Sequence, residues 1–373
     1  MSDRAAWIEL AHGIEPADGA AARLLASVGP DRAVDLIRSG RSGLRHGEGI
    51  AARMSGVTAE QAEDRAHAAG TRIVTRVDRD WPTQLDALGA MVPMALWVMG
   101  AASLRLLALR SVAVVGARAS SPYGEELARS WSADLAAEGW TIVSGAAFGV
   151  DAAAHRGALA AGGVTMALLA GGVDVPYPRA HAALLGAIAD QGLVVSEVPL
   201  GEPVRRQRFL SRNRLIAALG RATLVVEAAE RSGTAATAHQ AAALLRPVLA
   251  VPGPVTAPTS VGCHRLIQEG TAMLATGLPD VMAALDLDAG SGRGADAHGP
   301  TGSGEVRRRD HLDATSRRVL DSMPARRWAT AAELVRASGL APADMLAAAA
   351  RLAVDGWLVE GPNGWRRVRE PAA

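Results

Sequence analysis

The chain has 373 residues, of which 49% are hydrophobic and 21% are charged, and its formal net charge is +1. This composition indicates a folded protein of two or three domains, and it excludes a chain that binds nucleic acid through overall positive charge. All 39 cationic side chains are arginine, which excludes a P-loop and a pyridoxal Schiff base, because both need a lysine.

The cysteine count and the N-terminal residues exclude several further classes of protein. Cys263 stands alone, which excludes a disulfide framework and a cysteine metal cluster. Charged residues interrupt residues 1–10, where a signal peptide would be apolar, and no apolar run reaches the ~18 residues of a membrane span. We therefore expect a cytoplasmic protein without a metal, a cofactor or a membrane span.

Residues 1–100 are predicted to form an N-terminal helical domain. Alanine and leucine recur there at helical spacing, and residues 21–37 indicate a helix, a Gly29-Pro30 turn and a second helix. A helical hairpin of this SAM-like or helix-hairpin-helix kind either contacts a DNA backbone or only packs against the next domain. The sequence favours the packing role.

Residues 101–285 are predicted to form an α/β domain with a doubly wound parallel sheet. Short apolar runs without polar alternation are typical of strands buried on both faces, and helical stretches between them imply right-handed crossovers. The predicted strands are residues 112–115, 141–143, 164–169, 193–195, 224–226 and 248–251.

The C-terminal part is predicted to form a linker and a small separate domain. Residues 286–310 are rich in glycine, serine and alanine, which is typical of a flexible linker. Within residues 311–373 we expect helices over 314–323, from a Thr330 capping box onward, and over 342–355. Residues 357–359 and 365–368 flank Asn363-Gly364, a hairpin turn signal. Three helices and a hairpin predict a winged-helix domain.

The first turn of the predicted sheet carries small residues beside an arginine. Gly116 and Arg118 follow the first strand, and Ser120 or Ser121 caps a helix that begins at Pro122. Free N–H groups there form either an anion site or only a structural turn. The pattern is not G-x-G-x-x-G, and the next strand ends in Ser144-Gly145 instead of an acid, so it does not favour a dinucleotide.

The second turn, residues 144–151, again places small residues where a backbone can approach a phosphate. Asp151 and His155 lie four residues apart on the following helix, and with Ser144 they allow a hydrolase triad to be considered. A carboxylate at a helix start with a histidine neighbour explains them more simply. No nucleophile elbow is present.

A run of arginines is the strongest binding signal in the chain. Residues 205–214 hold five arginines and Phe209, and no acid occurs between Pro203 and Val226. Arginine pairs with phosphates and an aromatic ring stacks on bases, whereas most charge runs are only solvated surface. We interpret this run as a nucleic-acid or polyphosphate site. A third small-residue turn, Ser232-Gly233-Thr234, suits an extended anionic ligand at the same sheet edge.

Taken in chain order, six motifs resemble those of the DprA/Smf (DNA-processing protein A) family. They fall within residues 80–285 and are Val115-Gly116-Ala117-Arg118, Ser144 to His155, Gly171 to Pro178, Phe209 with Arg212-Asn213-Arg214, Glu227 with Ser232-Gly233-Thr234, and Val251-Pro252-Gly253. The helical front and the winged-helix end are similar to the family's three-part layout.

The resemblance implies an extended Rossmann-like fold that binds single-stranded DNA, forms a homodimer through that domain, helps load RecA recombinase in natural transformation and is not an enzyme. By motif position, the implied DNA-binding residues are Gly116, Arg118, Arg206, Phe209, Arg212 and Asn213, with Arg214, Ser144, Gly145, Ser232 and Gly233 nearby. Three positions depart from the family's usual residues, since Arg206 replaces lysine, Leu210 replaces proline and Ala117 replaces serine.

Two other functions remain open on the sequence. A Rossmann-like nucleotide-phosphate hydrolase of the lysine-decarboxylase-like type would need a Gly-Gly-x-Gly-Thr loop, of which Ser232-Gly233-Thr234 is a partial match. A sequence-specific repressor would read DNA through the winged helix. Its predicted recognition helix carries only Arg351 against Asp344 and Asp355, which disfavours that function.

Overall fold

The structure is a computed structural model that describes residues 2–230, 232–288, 312–324, 328–361 and 364–368. It divides into two compact units, residues 1–293 and residues 294–373. Positions 289–310 of the predicted linker, and Asn363 of the predicted hairpin turn, lie outside the described residues. No helix in these described ranges is both long enough and apolar enough to cross a membrane.

Five helices form the front of the first unit: α1 (Asp3–Gly13), α2 (Gly19–Val28), α3 (Pro30–Arg38), α4 (Gly47–Ser55) and α5 (Ala59–Ala68). The predicted helical hairpin is present. Asp18 caps α2 through the N–H groups of Ala20 and Ala21, and Gly29, with φ of 76°, makes the turn before Pro30. Leu10, Ile37 and Met54 are fully buried among these helices.

A nine-stranded sheet forms the body of the first unit. Its strands are β1 (Thr71–Thr75), β2 (Ala95–Met99), β3 (Ser111–Val115), β4 (Thr141–Ser144), β5 (Thr165–Leu169), β6 (Leu193–Ser196), β7 (Ala222–Val225), β8 (Val248–Ala250) and β9 (Met273–Leu274). They lie in the order β1-β2-β6-β5-β4-β3-β7-β8-β9. The pairs from β6 to β9 are parallel, and β1 and β2 run antiparallel at one edge.

Eight further helices connect the strands: α6 (Leu104–Leu109), α7 (Pro122–Ala137), α8 (Val150–Ala160), α9 (Ala182–Gln191), α10 (Arg206–Leu219), α11 (Gly233–Ala243), α12 (Val261–Gln268) and α13 (Leu278–Asp288). Two 3₁₀ segments, Thr83–Met91 and Arg179–His181, complete this unit. The Rossmann-like α/β fold with a mostly parallel sheet is therefore confirmed.

All six predicted strands are present, and residues 1–100 differ from a purely helical segment. β1 and β2 lie in that range and extend the sheet beyond β6, with β2 antiparallel to β6 and β1 antiparallel to β2, so the sheet begins before residue 101. β1 reads Thr-Arg-Ile-Val-Thr, a short edge sequence with too few apolar residues to show the pattern of a buried strand. At the other end, α13 continues to Asp288, into the first residues of the predicted linker.

The strand order places a switch point between β3 and β7. From β3 the chain proceeds outward through β4, β5 and β6, and it then crosses to β7 and continues outward in the opposite direction. In open α/β sheets, ligands bind at the carboxyl ends of the strands at such a reversal. A ligand-binding site is therefore expected at the turns after β3 and β7.

The second unit holds α14 (Ala314–Asp321), α15 (Ala331–Ser338), α16 (Pro342–Val354), β10 (Leu358–Gly361) and β11 (Gly364–Arg367). The capping box at Thr330 and Glu333 is formed, and Ala329 exchanges backbone hydrogen bonds with Trp365. Leu334, Leu352 and Trp357 lie in its buried core. These elements match the predicted ones, and the winged-helix assignment itself stays a prediction.

A partly buried ion pair ties the helical front to α10. Glu15, two residues after α1, accepts hydrogen bonds from Arg208 Nε and Nη2, each at 2.8 Å. Arg208 is 5% exposed and also contacts Glu202 Oε2 at 3.1 Å. The hydrogen bond from Arg208 lowers the pKa of the Glu15 carboxyl below its ordinary value. The pair therefore stabilises the fold while Glu15 is ionised.

We expect Arg208→Ala to lower the free energy of unfolding by about 1–3 kcal/mol, because it removes a buried guanidinium and leaves the Glu15 carboxylate with the more exposed Arg205. Arg129→Ala is the matched control, since Arg129 pairs with Glu126 on the exposed surface and such pairs contribute below ~1 kcal/mol. Urea unfolding of both variants at pH 7 measures the difference.

The same pair predicts a pH dependence. The folded-state pKa of Glu15 is lowered, so its contribution is present above the ordinary value of 4.5 and is lost as the pH falls through the lowered value. The gap in unfolding free energy between the wild type and Arg208→Ala should shrink below pH 4.5. An unchanged gap at acid pH would contradict this role of Glu15.

Candidate nucleic-acid interface

A groove of about 830 Å3 lies at the switch point, at the carboxyl ends of β3 and β7. Its walls are the turn after β3, the start of α11 and one face of α10. Among its lining residues are Gly116, Arg118, Asp151, Tyr177, Arg206, Phe209, Arg212, Asn213, Ser232, Gly233 and Thr234. Among the described residues, the lining thus contains three arginines and one acid, which gives this part of the groove a positive balance.

The turns after β3 and β7 are joined at the floor of the groove. Thr234 Oγ1 donates a hydrogen bond to the Gly116 carbonyl at 2.9 Å. A Cβ on Gly116 would lie 2.5 Å from Val150 Cγ2, so only glycine lets this turn pack against α8. Ser121, not Ser120, caps α7 by accepting from the Gly124 N–H at 3.2 Å. The backbone of this edge is consequently rigid.

An aromatic and cationic cluster stands on one wall of the groove. The Arg118 guanidinium lies 5.0 Å from the centre of the Phe209 ring, and the Tyr177 ring centre lies 5.5 Å from the same ring centre. Arg118 is exposed and Tyr177 is 42% exposed. The arrangement offers a π-face and a positive charge side by side.

The five arginines of residues 205–214 do not share one role. Arg206, at the start of α10, is exposed and lines the groove. Arg205 contacts Glu15 and Glu202, at 3.0 and 3.3 Å. Arg208 pairs with the same two acids. Arg214 is buried and its Nη2 lies 2.7 Å from Glu197 Oε1, so the structure does not bring it into the groove.

Arg212 is buried at the base of the groove. Its Nη1 donates to the carbonyls of Gly145 and Leu168, at 2.8 and 2.5 Å, and the residue is 6% exposed. Burial lowers the pKa of Arg212 to about 10, so it remains a cation at neutral pH. Burial also raises the pKa of Asp151, while the nearby Arg212 opposes that rise. Arg212 thus places a fixed positive charge beneath the groove surface.

The possible triad of Ser144, Asp151 and His155 is not formed. Ser144 Oγ is buried and donates to the Val114 carbonyl at 2.6 Å, and it does not line the groove. His155 Nδ1 contacts Thr165 Oγ1 at 2.7 Å, and burial lowers its pKa to about 3. Asp151 accepts from the N–H groups of Gly145 and Ala147, at 3.2 and 3.3 Å. All three side chains are therefore held inside the fold, and among the described residues no hydrogen bond joins them to one another.

The opposite wall is the start of α11. Asn213 Nδ2 donates to the Gly233 carbonyl at 3.2 Å, which attaches α10 to this turn. Ser232 Oγ is buried and has no hydrogen-bond partner in the part of the chain that the structure describes. Gly233 is exposed, so a ligand can approach its backbone. Sequence reasoning named these residues as site residues but left out Thr234 and Tyr177, although both belong to quoted motifs.

Comparison with known proteins places this chain in a family. Residues 72–286 match the family model described as DNA recombination-mediator protein A. The chain is 41% identical to a putative DNA processing protein DprA of Mycobacterium tuberculosis, over 98% of this chain and 95% of the relative. The chain belongs to the DNA recombination-mediator protein A (DprA/Smf) family. It is accordingly a DNA-processing, recombination-related protein.

Two solved DprA structures share the fold. DprA of Streptococcus pneumoniae has a TM-score of 0.63 at 32% identity, with 76% of this chain and 98% of that chain covered. DprA of Helicobacter pylori has a TM-score of 0.52 at 27% identity, with 58% and 96% covered. The latter structure was described for its single-stranded DNA binding mode.

Two glycines of the groove differ in the space around them, so alanine substitutions at the two positions should differ in their effect on stability. We expect Gly116→Ala to destabilise the DprA/Smf core by about 1–3 kcal/mol through overpacking against Val150. Gly233→Ala is the matched control, because its new Cβ would meet nothing nearer than Asn213 Nδ2 at 3.8 Å. Thermal unfolding should show a loss for the first variant and a change within ~0.5 kcal/mol for the second. Equal losses would contradict the close packing at Gly116.

Proposed function

We propose that this chain binds single-stranded DNA in the switch-point groove and acts as a recombination mediator, not as an enzyme. The observation that carries the proposal is the exposed Arg118 stacked on Phe209, with Arg206 on the same groove. In this role the protein protects incoming single strands and helps load RecA recombinase during natural transformation. A cytoplasmic location stays a prediction.

The chemistry of the groove suits a single strand better than a duplex. A single strand has unstacked bases, and the Phe209 and Tyr177 rings, which contact each other and line the groove, are aromatic partners for them. Arg118 and Arg206 are exposed and supply phosphate contacts, and the buried charge of Arg212 adds to the field. The Ser232-Gly233 turn opens α11 toward the same groove, where free N–H groups favour an anion.

The proposed homodimer has a candidate surface on the first unit. In the described part of the chain, no strand pairs with the outer edge of β9. Met273 and Leu274 of β9 are 46% and 50% exposed, and Leu245, which follows α11, is 91% exposed. An apolar, unpaired sheet edge favours association, and a second copy of this unit would cover it. The contact with RecA is proposed from membership of the family alone, without a particular surface of this chain.

The alternative nucleotide-phosphate hydrolase has less support from these contacts. Thr234 Oγ1 is engaged with the Gly116 carbonyl, and Glu227 is 3% exposed. The Glu227 carboxylate accepts hydrogen bonds from Ser121 N, Ser121 Oγ and Thr259 Oγ1. Neither residue is available to a nucleotide without first giving up these bonds.

The test of the proposal is a titration of single- and double-stranded oligonucleotides with the full chain at several salt concentrations. We expect tighter binding of the single strand and a log–log salt slope of about 0.7 for each phosphate contact. A preference for duplex would overturn the proposal. Steady hydrolysis of a nucleoside monophosphate by clean protein would favour the hydrolase instead.

The phosphate role of Arg206 can be tested separately from folding. We expect Arg206→Ala to weaken binding equally for all sequences and to lower the salt slope by about 0.7, because one phosphate contact is lost. Arg336→Ala is the control, since Arg336 is exposed on α15 in the other unit. Equal small effects from the two variants would remove Arg206 from the site. Arg212→Ala is unsuitable here, because this arginine also stabilises buried carbonyls.

Phe209 should behave differently from the arginines. We expect Phe209→Ala to cost roughly 1–3 kcal/mol of binding free energy through lost stacking, while the salt slope stays nearly unchanged. Phe209→Trp should retain most of the affinity, since it keeps a ring face. Fluorescence anisotropy at three salt concentrations gives both quantities. A change in slope without a loss of affinity at high salt would contradict a stacking contact.

A further inference from the structure

The outer face of α16 is apolar and exposed. The residues that pack into the unit's core are Met345, Ala348, Ala349 and Leu352, and the opposite side carries Ala343, Leu346, Ala347, Ala350 and Val354. Leu346 is 44% exposed and Val354 is 88% exposed. The spacing i, i+3, i+4, i+7, i+11 puts the outer residues in one stripe along the helix. Such a stripe is typical of a surface that another protein covers.

This stripe does not fit DNA. Binding of a duplex needs cations toward the phosphates, and Arg351 is the only cationic residue of α16. Arg351 Nε already lies 3.6 Å from Asp313 Oδ2. Asp344 lies on the same flank of the helix as Arg351, seven residues earlier, and would repel a phosphate. The occupant must therefore be apolar along its centre and charged along one edge.

We propose that α16 pairs antiparallel with α16 of a second copy of this chain. With a two-fold axis between residues 347 and 348, the stripe is complementary to itself in size. Leu346 comes near Ala350 of the second copy, and Val354 comes near Ala343 of the second copy. Alanine at three of the five positions lets the two helix axes approach closely, as ridges-into-grooves packing requires.

The charges on the flank support the same arrangement. The two-fold axis that relates antiparallel helices keeps equivalent flanks on the same side of the pair. Asp344 of one copy then lies opposite the half-exposed Arg351 of the other, which exchanges its 3.6 Å contact with Asp313 for this one, and the reverse contact is formed at the other end. A parallel pair would place these flanks on opposite sides and leave both contacts unmade. Size and charge therefore select one orientation.

The proposed contact between two α16 helices is small, so it acts between copies of the chain that are already close together. A helix of 13 residues is about 20 Å long, so the face is far below the size of a stable interface and pairs weakly alone. Copies that are already held close gain from it through effective concentration. The pairing thus adds a contact between copies that the proposed homodimer already holds close, and in that respect it rests on the proposed function.

Disulfide trapping of the full chain tests this pairing. Ala347→Cys places a thiol beside the two-fold axis, and Ala332→Cys is the control at an exposed alanine on α15. Burial raises the pKa of Cys263 to about 12, so this native thiol stays unreactive in both variants. Under mild oxidation we expect the Ala347→Cys chain to crosslink at least about tenfold faster than the Ala332→Cys chain. Equal rates would overturn the proposal.

Two further variants make the test specific. Val354→Glu in the Ala347→Cys chain should abolish the fast crosslinking. Asp344→Arg should slow the crosslinking, because it places two arginines opposite each other at each end of the pair, whereas Asp344→Glu should retain it. Fast crosslinking that survives Val354→Glu would overturn the proposal. Protection of the thiol introduced by Ala347→Cys from a thiol reagent, without any crosslink, would also overturn it, because that result would show that another surface covers α16.

Discussion

The candidate site depends on the buried guanidinium of Arg212. This group donates to the carbonyls of Gly145 and Leu168, at the ends of β4 and β5, and thereby holds α10 against the carboxyl edge of the sheet. A cation without those carbonyls would be costly at this depth, and the nearby Asp151 offsets part of the remaining cost. Because α10 is fixed at this point, Arg206 and Phe209 on its first turns are also placed at the groove.

The architecture could be predicted from the sequence because its signals are local. Runs such as residues 112–115 are buried on both faces, and their apolar pattern is present wherever the strand lies in the sheet. The serine cap before Pro122 also follows from short-range backbone chemistry, whereas Gly116 is required by its contact with Val150 of α8. β1 could not be predicted from such local signals. An edge strand needs few apolar residues, and its place in the sheet depends on pairing with β2.

The arginine run shows what the sequence could not supply. Residues 205–214 contain no acid, so the run looks like an open cationic surface. Glu202 lies just before the run, but two of the acids that pair with it come from farther away: Glu15 lies 193 residues before Arg208, and Glu197 lies 17 residues before Arg214. Only the folded chain brings them together. Most of the charge that suggested DNA binding therefore stabilises the protein internally.

Helical periodicity within the run explains which residues remain for a ligand. Arg206, Phe209 and Asn213 are spaced i, i+3 and i+7, so they share the face of α10 that lines the groove. Arg205 and Arg208 lie on a neighbouring face, which meets Glu15 and Glu202. One helix thus uses one face for attachment to the helical front and another for the groove. A change in the Glu15 contact would consequently shift the first turn of α10, and with it the side chains that a strand of DNA would meet.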